Sequence, residues 1–201
     1  MKFNKSVLAL SLAVLTHTSA QAAEHQQAGY VGVSLGQATV EDFCDGSEAS
    51  CDDSALSLRV YGGTELNGFA NLEFGYRYID DVEVSGLFRG VAVAGAANGH
   101  FVDTTFQLGM PEAGPFKVFT KAGLLLWRLN YEATASNGFM TVSESDSDTG
   151  VAFRTGLGVS FDVSDSVRLR ADWDYLVNVG DEDEYFETDI NVFSVGPEFL
   201  F

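Results

Sequence analysis

VRLRADWDYLV, residues 167–177, decides how the rest of the chain is read. Arg168, Arg170, Asp172 and Asp174 alternate with Val167, Leu169, Ala171, Trp173, Tyr175 and Val177. A period of two is a β-strand. Half-buried strands usually turn charge to water and apolar groups to a core. Which face of this strand meets water, and which an apolar phase, sets the class of the protein.

Seven further stretches alternate in the same way, and none of useful length has a helical period. The pattern predicts strands over about 29–38, 55–64, 69–80, 99–110, 116–132, 149–162, 167–178 and 188–201. The turns after the second, fourth and sixth are short and carry Asn-Gly, Pro/Gly or Ser-Asp chemistry. The intervening connections, about 39–54, 81–98, 134–148 and 179–187, are long and acidic. An even strand count with short turns at one end and long loops at the other is the layout of an outer-membrane barrel. The segment 81–98 is too apolar for a plain loop and is expected to extend the neighbouring strands.

Parity within the strands answers the opening question. Val151, Phe153, Leu157, Val159 and Phe161 share one face, opposite Arg154, Gly156, Gly158 and Ser160. Leu72, Phe74, Tyr76 and Tyr78 oppose Glu73, Gly75 and Arg77; Leu56, Leu58 and Val60 oppose Ser57, Arg59 and Tyr61. Arg59, Arg77, Lys121, Arg154, Arg168 and Arg170 fall on polar faces, joined by Glu73, Asp172, Asp174 and Glu198. The long connections hold mainly Asp and Glu. A water-facing surface has no reason to sort charge this way. A closed membrane barrel does, because its outside is apolar and its inside polar. At eight strands the inside is just wide enough to be filled by side chains, and inward arginines then need carboxylates. The expected fold is all-β: an eight-stranded antiparallel up-and-down transmembrane β-barrel with an ion-paired lumen.

The stretch 116–132 sorts less cleanly. Val118, Ala122, Leu124 and Leu126 suit lipid, but Phe119, Leu125 and Trp127 then point inward. A bulge near Gly123 that switches parity would remove the conflict. Tyr76, Tyr78, Trp127, Tyr131, Trp173, Tyr175, Phe199 and Phe201 lie toward strand ends, where interfacial aromatic girdles belong.

Residues 1–22 read as a secretory leader: a basic Met1–Lys5, the short apolar run Ser6–Leu15 and a small-x-small site before cleavage after Ala22. The apolar run is too short for a spanning helix. The domain is expected at 23–201. The full chain carries a formal charge of -18; without Lys2 and Lys5 it is -20. Such acidity argues against nucleic acid as a partner. In an exported protein Cys44 and Cys51 read as a disulfide closing a small loop, restricting the unfolded chain by about 2–3 kcal/mol. A metal site is the alternative, but no histidine lies nearby.

VYGGTELNGFANLEFGYRYID, FKVFTKAGLLLWRLNYEA, DTGVAFRTGLGVSFDVSDSVRLRADWDYL and the terminal INVFSVGPEFLF together resemble the small eight-stranded outer-membrane barrels typified by the transmembrane domain of OmpA. The resemblance implies an outer-membrane location, contact with lipid and lipopolysaccharide, and delivery by periplasmic chaperones. Phe193, Val195, Phe199 and Phe201, at alternate positions up to the end of the chain, look like the signal read by the barrel-assembly machinery. Pro197 departs from that pattern and removes a ladder donor. OmpA-like proteins often carry a peptidoglycan-binding domain after the barrel; the chain stops at Phe201, so that role is not expected.

The first functional expectation is a non-catalytic barrel without a cofactor, serving envelope integrity or surface interaction, with at most a small conductance. A soluble lipocalin-like binder would share eight strands but need an apolar interior. A lipid-modifying barrel enzyme would need a Ser/His or His/acid site, and the mature histidines are only His25 and His100. The runs Ser143–Asp148 and Gly180–Glu184 could hold Ca²⁺ or Mg²⁺, although charge runs usually solvate.

Overall fold

The computed structural model describes residues 29–44, 50–88, 91–109, 116–181 and 186–201. The leader, His25, Arg89, the turn at 111–115 and the acidic residues 182–184 lie outside these residues. Among the described residues nine strands follow one another: β1 (Gly29–Val40), β2 (Ser50–Asp52), β3 (Ser54–Asn67), β4 (Ala70–Phe88), β5 (Val91–Gly109), β6 (Phe116–Ser136), β7 (Thr141–Ser164), β8 (Val167–Asp181) and β9 (Phe186–Leu200). Eight of them form the wall. From β3 to β9 each pairs antiparallel with the next, and β1 pairs with both β3 and β9, closing the barrel. β2 is a short flap on the extension of β4, with Ser50 opposite Ser85. The Cys44–Cys51 disulfide, Cα–Cα 5.7 Å, ties this flap to the end of β1.

A strand needs about 9–11 residues to cross a bilayer. β4, β5, β6 and β7 have 19, 19, 21 and 24 and stay paired to their far ends, so they run well past it as a four-stranded extension. Most of 81–98 is strand, as its apolar character predicts, and so is most of 134–148, read from sequence as a connection. In 134–148 the acids conceal the strand because they signal water, and both faces of that part of the extension meet water. Register shifts at Ile79/Val82 and Leu176/Val179 mark where the wall gives way to extensions. In the second, Asn178 takes a left-handed conformation, φ 60°, a region where Asn is enriched.

Along the wall the alternation is strict. Leu35, Phe74, Leu126, Phe153 and Phe193 face outward and are exposed; Arg59, Arg77, Arg154 and Asp174 face inward and are buried. A soluble lipocalin-like protein would present this continuous apolar wall to water.

The bulge expected near Gly123 is absent. β6 keeps one unbroken register with β5 and with β7 through this region. Phe119, Leu125 and Trp127 point into the lumen at 8%, 1% and 4% exposure. Two of these rings need no parity switch because each lies over a glycine on β7. Phe119 is opposite Gly158 and Trp127 opposite Gly150, and a Cβ on either glycine would run into the ring. Trp127 is thus a lumen residue rather than part of the outer girdle. On the β1–β9 seam, pairing lapses where Val33 and Ser34 face Pro197 and Gly196, at the proline that cannot donate.

Candidate functional site

The inward faces converge on a network of charge. Five cations (Arg59, Arg77, Lys121, Arg154, Arg170) and five anions (Glu73, Asp103, Asp172, Asp174, Glu198) are buried at 5% exposure or less. Eight of these form a closed ring of alternating sign. Arg170 Nη1 lies 2.6 Å from Glu73 Oε2, and Glu73 Oε1 lies 2.9 Å from Arg59 Nη2. The same Arg59 nitrogen is 2.7 Å from Asp103 Oδ1, which is 2.5 Å from Arg154 Nη1. Arg154 Nη2 donates to Asp174 at 2.9 Å, and Asp174 also holds Lys121 Nζ. Lys121 reaches Asp172 at 2.7 Å, and Arg170 Nε closes the ring on Asp172 at 2.9 Å.

Other groups hang from this ring. Arg77 Nη2 joins Asp174 at 2.5 Å. Glu198 joins Arg170 at 3.1 Å and Arg168 at 3.0 Å; Arg168 in turn reaches Asp162 at 2.6 Å. Neutral donors complete the carboxylates: Gln107 Nε2 donates to Glu73 at 2.7 Å, and Thr105 Oγ1 to Asp103 at 3.0 Å. The Arg170 guanidinium lies between the rings of Tyr61 and Phe119, 4.6 and 4.8 Å from their centroids, a favourable position for a desolvated cation. Gly75 leaves room for Arg59, whose guanidinium a Cβ there would strike.

The ten residues expected in the network (Arg59, Glu73, Arg77, Lys121, Arg154, Arg168, Arg170, Asp172, Asp174 and Glu198) all lie in it. Sequence reasoning omitted Asp103 and Asp162. Charge balance was the signal that could have found them. Six cations against four anions leaves two buried positive charges uncompensated, and these two acids occupy polar-face positions on β5 and β7.

A second layer, not expected from sequence, fills the other half of the lumen. Val40, Ile79, Val82, Phe101, Leu125, Trp127, Leu129, Leu176, Val179, Ile190 and Val192 form one buried apolar cluster with Ala38, Ala55 and Ala152. Wherever a strand carries an inward charge, the charge lies toward the short turns and the cluster toward the long extensions. On β8 the order is Arg168, Arg170, Asp172, Asp174 and then Leu176.

The remaining candidate residues lie elsewhere. His100 is on the outer wall, 2.8 Å from the Tyr76 hydroxyl through Nδ1 and packed against Tyr78. Phe193, Val195, Phe199 and Phe201 are exposed on the outer side of β9 and at its end. In 143–148 the serines and acids alternate along β7, so Glu144, Asp146 and Asp148 are spread along one face. Among the described residues no three His, Cys, Asp or Glu side chains gather as metal ligands would.

Solved structures share this architecture. The chain superposes on Ail, the attachment invasion locus protein of Yersinia pestis, with a TM-score of 0.57 at 16% identity, over 88% of this chain and 100% of that one. On neisserial surface protein A the TM-score is 0.53 at 19% identity, over 88% and 100%. Among curated relatives, outer membrane protein A of Shigella dysenteriae is 27% identical over 180 residues, 88% of this chain and 49% of the relative. That of Salmonella typhi is 26% identical over 204 residues, 100% of this chain and 56% of the relative. The chain thus spans about half the length of these relatives. The relatives and the closed barrel place it in the bacterial outer membrane. The family model for the OmpA-like transmembrane domain matches residues 24–201, and the chain belongs to that family.

Proposed function

We propose that the chain is a non-catalytic barrel that stabilises the outer membrane and holds acidic strand extensions at the cell surface, with at most a small conductance. The closed ring of eight alternating charges carries this reading. It fills its half of the bore with paired groups and, with the apolar cluster filling the other half, leaves no wide aqueous path. His100, held between two tyrosines on the outer wall, suits an interfacial residue better than a general base. Ail has been crystallised with the heparin analogue sucrose octasulfate. The acidic extensions here have the wrong sign for such a polyanion and favour cationic partners or divalent ions.

The apolar wall supports contact with acyl chains and lipopolysaccharide. The alternate aromatics up to Phe201 support recognition by the assembly machinery after escort by periplasmic chaperones. The test is gel mobility of the outer-membrane fraction, unheated and boiled, with liposome swelling on the purified protein. A compact unheated form that shifts on boiling, in liposomes tight to small sugars, is expected. Recovery in the soluble periplasm without a shift, or free passage of sugars, would overturn the reading.

A further inference from the structure

We propose that the ion seal of this barrel is its apolar layer, and that the charged ring is not the barrier. The inference rests on the reading of the chain as a filled outer-membrane barrel.

Every one of the eight wall strands contributes at least one side chain to the apolar cluster, so the layer crosses the whole bore. On β6 it runs from Leu125 to Leu129. That is about 13 Å along the strand, or about 10 Å along the axis at a tilt of roughly 40°. Apolar enclosures of this kind stay dry, and hydrophobic constrictions block ions by excluding water. A bare ion crossing the layer would lose its hydration with nothing to replace it. The one side-chain polar atom of the layer without a partner is Trp127 Nε1, a single donor that cannot wet such a depth.

The charged ring has a different character. On its margin the hydroxyls of Ser34, Ser57 and Ser194 and Arg77 Nη1 are buried without a protein partner. Buried polar atoms in that state call for water. A polar cavity of about 50 Å³, lined in part by Lys117, Arg168, Arg170 and Glu198, leads to the ring from the short-turn end. Charged groups that border water can exchange a protein partner for a hydrated ion. Water and ions therefore reach the ring from the short-turn side and stop at the apolar layer.

Planar-bilayer conductance of the full chain tests this with two kinds of variant. Leu125→Asn/Leu176→Asn makes the layer polar, and Trp127→Ala thins it. Lys121→Met/Asp172→Asn removes one link of the ring while preserving net charge and leaving the layer intact. Only protein that shows the heat-dependent gel shift is measured. Both layer variants are expected to carry at least ten-fold more current than the parent, and the ring variant no more than the parent. A ring variant that conducts with the layer intact would overturn the proposal. So would layer variants that shift on heating yet pass no more current than the parent. Should neither layer variant shift, Leu125→Ala is held to the same criterion. Failure of the parent itself to shift would strike the barrel reading, whereas contrary currents in shifted protein strike only the seal.

Discussion

The two halves of the lumen solve the same packing problem by opposite means. Toward the short turns, ten buried charges neutralise one another in a ring and its branches. Toward the extensions, the bore is closed by aliphatic and aromatic groups with no charge among them. Each choice has its own vulnerability. A charged ring tolerates no missing member, because the remaining partner is left buried and unpaired. An apolar layer tolerates polarity badly and lost volume moderately. Burial is nearly complete in both, so chemistry rather than exposure distinguishes them.

The largest expected effect comes from the most connected acid. Asp174 holds Arg77, Lys121 and Arg154. Asp174→Ala should cost about 3–5 kcal/mol, read as the fall in the urea midpoint of the compact gel form. A loss under 1 kcal/mol would mean that the ring is wet and exchangeable throughout.

Next come two adjacent residues on opposite faces of β6. Leu125 is buried in the lumen and Leu124 is exposed on the wall. Leu125→Ala should cost about 2–4 kcal/mol through the cavity it leaves. Leu124→Ala should cost less than about 1 kcal/mol, since lipid tails fill the space. Equal losses in the same urea titration would erase the distinction between the faces.

The smallest effect lies outside the bore. Cys44→Ser/Cys51→Ser frees the β2 flap and removes up to about 2–3 kcal/mol of loop restriction. That restriction is local, so the heat-dependent shift should persist while the flap becomes sensitive to protease. Loss of the shift would show that the flap is part of the wall's stability.

Polarity made one half of this interior legible in the sequence and hid the other. Arg168, Arg170, Asp172 and Asp174 announce an inward face because charge has no place against lipid. Leu176, two positions further on the same face, announces nothing, since an inward leucine and an outward leucine look alike. Hence the conflict on β6: Phe119, Leu125 and Trp127 are as apolar as Val118, Leu124 and Leu126, and the sequence alone predicts a parity switch. The glycines at 150 and 158 held the resolution, but only the register across β6 and β7 sets them beneath those rings. Asp103 escaped for a related reason. It stands among Thr104, Thr105 and Gln107, where polarity does not separate the faces. Strand number and the sorting of arginine were legible because each repeats along the chain, and the apolar 81–98 announced its own extension; the extension at 134–148 did not, because a strand bathed in water on both sides shows no contrast.

The chain contains two tryptophans, one on each side of the wall, and they offer the most direct test. Trp127 is buried in the lumen at 4% exposure, and Trp173 faces lipid at 36%. Fluorescence quenching by brominated acyl chains would be measured in bilayers for Trp127→Phe, which keeps Trp173, and Trp173→Phe, which keeps Trp127. Strong quenching of Trp173 and weak quenching of Trp127 are expected, with Trp127 also shielded from aqueous iodide. Quenching of Trp127 by lipid as strong as that of Trp173 would contradict the unbroken parity of β6 and the filled, two-layered lumen built on it.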